Sequence, residues 1–239
     1  MPRRTAAASC ANSMPKKTAE YAIYAIKATR DQARQETMVS SRMGCHCEVM
    51  HGEDYLLKHS RFSPCCGMYD IRYFQKMPFP KGRLYEDFYL MPRILCKAQR
   101  LVYIGNAKLY HYYMRAGGTT GKARNGSLHP DEAWDTYRNV EFFKKYYGKG
   151  SPIFKKLQAC ILGSCVTAYL LTKAPDKKFI KIYRKCIARN SCSIWENDYL
   201  GKKLKRAIAY IFLSPGLALE ILKDEDIRDE QRDIIKKKI

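Results

Sequence analysis

Long apolar runs are missing from this chain of 239 residues. The longest, Ala159 to Thr172, is too short to span a bilayer and carries polar residues, so it reads as a buried helix. The Met-Pro-Arg-Arg start and the Thr-Ala-Ala-Ala-Ser-Cys after it hold no adequate apolar core, so no signal peptide is expected. The 10 cysteines lack the regular spacing of a disulfide scaffold, in a chain too long to need one. Reduced thiols in the cytosol are the simplest reading. No internal repeat is visible. Carboxylates are scarce, with 23 Asp and Glu against 44 Lys and Arg, a formal charge of +21. Such an excess calls for an anionic partner: nucleic acid, an anionic lipid surface or phosphorylated substrates. At 46% apolar and 12% aromatic, the chain is not a disordered one, and it is long enough for a real core.

Residues 1–16 read as a loose basic leader. Residues 17–37 are good helix formers, with Tyr21, Tyr24, Ala25 and Ala28 on one face, so a helix is expected. Gly52-Glu53-Asp54 opens a short helix through Leu56, Leu57 and Phe62, ended by Ser63-Pro64. Cys65–Tyr69 reads as a short buried strand and Ile71–Gln75 as a helical turn. Asp87–Gln99 reads as a helix with Phe88, Met91, Ile94 and Leu95 inward, and Pro92 within it predicts a kink or a late start. Strands are expected at Leu101–Ile104 and Leu109–Met114. From Pro130 the pattern is helical: Pro130 suits a first helical position, and Asp131 and Glu132 suit the positive end of a helix. Further helices are expected near 152–173, 177–189 and 200–222, with breaks near Ala174-Pro175 and Asn190–Ser193 and at Pro215. The charged tail from Asp224 is expected to fray. A boundary is placed near residue 125. It separates a leader and helix (1–47) and a mixed α/β unit (48–125) from an all-helical region (126–239).

The stretch Phe79–Thr120 concentrates the chemistry. It sets Glu86 and Asp87 where an extended segment becomes a helix. A carboxylate there commonly serves only as a cap. The functional alternative is a general base, with Asp87 taking a proton from an attacking hydroxyl and Glu86 positioning it. Lys108, His111 and Arg115 border the second strand. They are either snorkelling cations on a solvated face or a clamp on a departing diphosphate, for which the planar fork of arginine is suited. Gly117-Gly118 would let a loop move over a ligand. Cys45-His46-Cys47 with Cys65-Cys66 fits zinc spacing poorly, and adjacent cysteines on a strand would face opposite ways, so no metal site is assigned. The Lys- and Arg-rich helices after residue 177 are first an amphipathic, solvated face, and second a surface for anionic headgroups. No RNA-binding motif appears, so nucleic acid is the weaker partner.

Phe79-Pro80-Lys81-Gly82, Tyr85-Glu86-Asp87, Val102-Tyr103-Ile104 and Leu109–Arg115 together resemble the second half of the catalytic domain of family-two glycosyltransferases, especially the bacterial enzymes of capsule and exopolysaccharide assembly. The likeness covers about residues 48–220. It implies a partial A-type nucleotide-sugar transferase fold, a small mixed sheet with helices, followed by an all-helical C-terminal region. It also implies inverting transfer from a nucleotide sugar to a glycan or lipid-linked acceptor at the inner face of the cell membrane. On this reading Asp87 is the base, beside Glu86, and Arg115 with Lys108 or His111 contacts phosphate. The family's nucleotide-binding half and its divalent manganese or magnesium motif are absent: residues 1–47 carry no Asp-x-Asp. A partner chain supplying that half is therefore one expectation, and a remnant without activity another. The alternative function is a non-enzymatic basic module that binds anionic lipid or RNA.

Overall fold

The computed structural model describes residues 21–24, 26–29, 46–59, 62–105, 110–113, 129–170, 176–222 and 227–238. Its strands are β1 (Tyr21–Tyr24), β2 (Ile26–Thr29), β3 (His46–Met50), β4 (Gly67–Tyr69), β5 (Leu101–Gly105) and β6 (Tyr110–Tyr113). Its helices are α1 (Gly52–Lys58), α2 (Ile71–Lys76), α3 (Glu86–Leu95), α4 (Pro130–Tyr147), α5 (Pro152–Leu170), α6 (Lys177–Trp195), α7 (Lys202–Leu213), α8 (Pro215–Ile221) and α9 (Ile227–Lys237). The result is a small mixed sheet beside a larger helical array. None of the described helices is long and apolar enough to cross a membrane.

The four-stranded sheet runs β3-β5-β1-β4, and β2 and β6 form a second, two-stranded one. β1 is parallel to β5 in the register Tyr21–Leu101, and β3 is antiparallel to β5. β5 lies inside the sheet, and its Leu101 and Val102 are fully buried, as expected of a strand covered on both faces. The expected helix over 17–37 is therefore corrected for Tyr21–Thr29. Tyr21 and Tyr24, which mark the helical stripe, are also strong strand formers, as are the Ile residues between and after them. Pairing with β5 and β6 settles the ambiguity, tertiary contact overriding local propensity. The buried strand expected at Cys65–Tyr69 is instead a 3₁₀ turn at Pro64–Cys66 followed by β4. Among the described strands β4 pairs with β1 alone, at the edge of the sheet, and Met68 stands 64% exposed. α1 ends at Lys58, short of Phe62.

Two helical expectations also fall. Asn190 and Ser193 do not break α6, because their polar groups are satisfied inside the fold. Asn190 donates to the Cys186 carbonyl and to Glu141, while Ser193 Oγ donates to the Asn190 carbonyl and accepts from Gln158. The tail forms α9 and docks. Glu230 accepts from the Lys203 N–H at 2.9 Å and Gln231 from the Gly201 N–H at 3.1 Å, so α9 satisfies donors left open at the start of α7.

One apolar cluster joins Leu56, Leu90, Ile94 and Leu101 to Val140, Phe154 and Leu157, so helices from both sides of residue 125 share a core. A second joins α4 to α9 around Tyr169, Phe179 and Leu204. Gly52 is required where it stands: its N–H donates to the Ala98 carbonyl at 2.9 Å, and a Cβ there would lie 1.8 Å from the Leu95 carbonyl oxygen. Lys177, Lys178, Lys181 and Lys185 point outward from α6, the solvated basic face.

Pro92 neither delays nor ends α3, which begins at Glu86. With no N–H, Pro92 leaves the Phe88 carbonyl without its helical donor. The fully buried Asn139 of α4 supplies one, its Nδ2 lying 2.8 Å from that oxygen, while its Oδ1 accepts from Arg93 Nε at 3.0 Å. Asn139→Ala should cost about 1–3 kcal/mol in chemical denaturation, the penalty for leaving a buried polar group unpaired. In a Pro92→Ala background, which returns an N–H to the helix, the same substitution should cost measurably less. An equal cost in both backgrounds would show that Asn139 does not serve this carbonyl.

Candidate active site

The chain enters α3 through Tyr85, a non-glycine residue at φ +59° in the left-handed region, where side chains are disfavoured. That turn is tied to the first turns of α4. The Leu84 N–H donates to Asp131 at 3.2 Å, and Arg83 Nη2 donates to the fully buried Asp135 at 2.6 Å. The His129 imidazole accepts from the Asp131 N–H, and Pro130 follows it as the first helical residue. The starts of two helices, each rich in carboxylates, are thereby brought side by side.

Between them opens a cleft of about 320 Å³. Its described lining includes Phe62, Tyr85, Asp87 and Phe88 from one side, Glu132 from the start of α4, and Cys160 from α5. Phe62 and Phe88 meet edge to face at 6.0 Å, giving the cleft an aromatic wall. Asp87 is both a helix-start acceptor and a cleft residue. Its Oδ1 accepts from the Phe88 N–H at 2.7 Å, in the manner of a helix-start acid, and the residue also borders the cleft.

Burial raises the Asp87 carboxyl above the usual range, and the negative charge of Glu86 adds to the rise. Burial pushes Glu132 up to about 8, with Asp135 adding to it. Both carboxyls sit in first helical turns, where the helix dipole favours the charged form by about 0.3–1 kcal/mol. That is less than one pKa unit, so desolvation wins. At neutral pH Glu132 is mainly a neutral acid, able to donate a hydrogen bond. Burial likewise lifts Asp135 to about 7, against the pull of Arg83.

Of the residues singled out in the sequence, the structure brings Asp87 to the cleft, with Glu86 preceding it on the same turn. His111 lies in β6 opposite Lys27, and its side chain is outside the description. Lys108 and Arg115, with Gly117-Gly118, lie outside the described residues. No cation appears in the described lining, and Arg83 is engaged with Asp135 and Asp131. In the sequence Glu132 has the pattern of a helix-start residue alone. Its second role comes from the meeting of α3 with α4, which no local pattern announces. Among the described residues no three His, Cys, Asp or Glu side chains gather as metal ligands, so the donor set for a divalent ion is not assembled there. Comparison with known proteins finds no matching family model, curated protein or solved structure.

The raised Glu132 value has a consequence for stability. An acid whose folded-state pKa exceeds its unfolded one keeps its proton longer in the native state. Its contribution is complete at pH values below about 4.5 and is lost as pH rises through about 8. Glu132→Gln should flatten the fall in stability between those values, measured by denaturant titration across the pH range. A pH profile that the substitution leaves unchanged would place Glu132 in water.

Proposed function

We propose that the cleft activates a hydroxyl group for group transfer, and that the chain is the acceptor side of a family-two glycosyltransferase with a partial A-type fold. The observation that carries this reading is Asp87, a carboxyl desolvated in a cleft with an aromatic wall and a second, largely protonated carboxyl beside it. A raised pKa brings a carboxylate closer to the working pH, which is where a general base is most effective. The acceptor, a glycan or lipid-linked glycan, presents its hydroxyl to Asp87. The proton passes to the carboxylate as the oxygen bonds to the anomeric carbon of the nucleotide sugar. The bond from that carbon to the diphosphate breaks, and the diphosphate leaves with the electron pair. Glu132, as a neutral acid, donates to a second hydroxyl and orients the acceptor, a role for which an unprotonated neighbour of Asp87 would be unsuited.

Charge divides the labour. The described cleft carries carboxyls and no cation, so it suits a neutral polyhydroxylated acceptor and not a diphosphate. In this proposal the diphosphate is held by Arg115 with Lys108 or His111, or by a partner chain that carries the nucleotide-binding half. The reaction takes place at the inner face of the membrane, where a basic protein meets anionic lipid and lipid-linked acceptors.

Asp87→Asn is the discriminating substitution. Asparagine still accepts from a backbone N–H, so the helix start survives, while base strength is lost. Transfer from a panel of UDP-sugars in the presence of manganese should fall by about 10²–10⁴ with thermal stability nearly unchanged. Transfer that continues undiminished in this variant would reject the base assignment.

A further inference from the structure

A second hollow, of about 240 Å³, lies where α1, the start of α5, the turn before α7 and the end of α9 meet. It shares no described lining residue with the Asp87 cleft and does not depend on how that cleft is read. Three lysines line it: Lys58, Lys156 and Lys238. Lys156 is the unusual one. It is 1% exposed, and its Nζ has no hydrogen-bond partner. An ammonium group withdrawn from water without a partner is among the costliest arrangements a fold can hold. Burial accordingly pulls its pKa down.

The other two lysines are at the rim and are already paired. Lys58 bonds to Glu48. Lys238 bonds to Asp198 and sits 4.9 Å from the centre of the Tyr199 ring, while Lys155 shares Asp198 at 3.5 Å. Asp54 is the carboxylate in the described lining itself. Pro152, the first residue of the 19-residue α5, lines the hollow too, so the positive end of a long helix opens there. The buried ammonium and the helix start favour a compact anion, against the repulsion of the Asp54 carboxylate. An anion bonded to Lys156 Nζ would supply the partner that the protein withholds.

We propose that this hollow binds a phosphate group, carried by a small phosphomonoester or by a lipid headgroup, with Lys156 as the buried ligand and Lys58 and Lys238 at the rim. A group of that size fits the space, and three lysines against one carboxylate line it among the described residues.

The test is thermal unfolding of the full chain, wild type and Lys156→Met, in inorganic phosphate against chloride at matched ionic strength, which equalises screening of the +21 charge and leaves the variant to report the general effect of phosphate. Wild-type protein should gain stability in phosphate beyond the chloride control. Lys156→Met should lose that gain and should be at least as stable as wild type in phosphate-free buffer, because it removes an unpaired buried cation. No phosphate-specific gain in the wild type, or the same gain in Lys156→Met, overturns the proposal. Should Lys156→Met fail to fold, the double variant Lys58→Met, Lys238→Met should weaken phosphate binding at least tenfold by calorimetry, and unchanged affinity overturns the proposal equally. Flotation with phosphatidylcholine vesicles, with and without phosphatidic acid, separates the sources once the phosphate gain is seen. Flotation abolished by Lys156→Met assigns a headgroup, and flotation that it leaves intact assigns the free phosphomonoester.

Discussion

A proline in the seventh position of α3 creates a polar group that the helix cannot satisfy by itself, and the organisation around the cleft follows from how that group is satisfied. The Phe88 carbonyl has to find a donor from outside its own helix. Asn139 provides it, and in doing so fixes the angle and register at which α3 meets α4. Arg93 completes the joint: it donates to Asn139 and to the Arg138 carbonyl, and its guanidinium is sandwiched 4.2 Å from the Tyr89 ring centre and 4.3 Å from that of Phe142. A buried amide with a defined donor and acceptor tolerates little sliding, unlike an apolar contact. That intolerance is what holds two helix starts side by side.

The electrostatics of the cleft follow from this joint. Two helices that begin at the same place bring their first-turn acids together, because acids are favoured in first turns for helix stability alone. Asp87 and Glu132 each arrive at the cleft for a local reason, and burial there alters the proton affinity of both. Packing removes water from both, and the charged forms become expensive enough for one carboxyl to remain largely protonated near neutrality. Arg83 is consumed at Asp135, one turn further along α4, so it neutralises the deepest acid and leaves the cleft pair without a counter-ion among the described residues. An acidic hollow in a chain of charge +21 is therefore a product of geometry and not of composition.

Particular residues show where the sequence could be read and where it could not. Leu101–Ile104 announced β5, and Pro130 with Asp131 and Glu132 announced the start of α4, because turn chemistry and apolar runs act locally. The start of α3 at Glu86 and the position of Asp87 on it were legible for the same reason. Tyr21–Tyr24 and Ile26–Thr29 suggest a helix because an alternation of aromatic, alanine and isoleucine satisfies two periodicities, and the deciding contacts with β5 and β6 lie some eighty residues away in the chain. Asn190 and Ser193 look like helix breakers when their side chains have only water or their own backbone to bond. Gln158 and Glu141, on other helices, change that balance. Glu132 as a cleft residue and Lys156 as a buried cation had no local signal, since each depends on what another element covers.

The helical half repeats the logic of the proline joint at larger scale. Polar groups that would end or fray an isolated helix are matched across the interface by side chains of a neighbour. Gln158 and Asn197 bond at 2.9 Å in the interior, and Asn197 also reaches the Lys155 carbonyl. Gln231 donates to the Tyr199 carbonyl while accepting from the Gly201 N–H, so α9 is held to the entry of α7 by two directional bonds. Apolar clusters give this region its cohesion, but they would allow several registers. The matched amides and carboxylates select one. Other buried groups in the described helices are also unmatched, Thr136 Oγ1 and the Tyr183 hydroxyl among them, but Lys156 Nζ is a cation and the residue lines a hollow. An ammonium is the costliest of these groups to leave unmatched, which is the reason to read Lys156 as a ligand for something outside the chain.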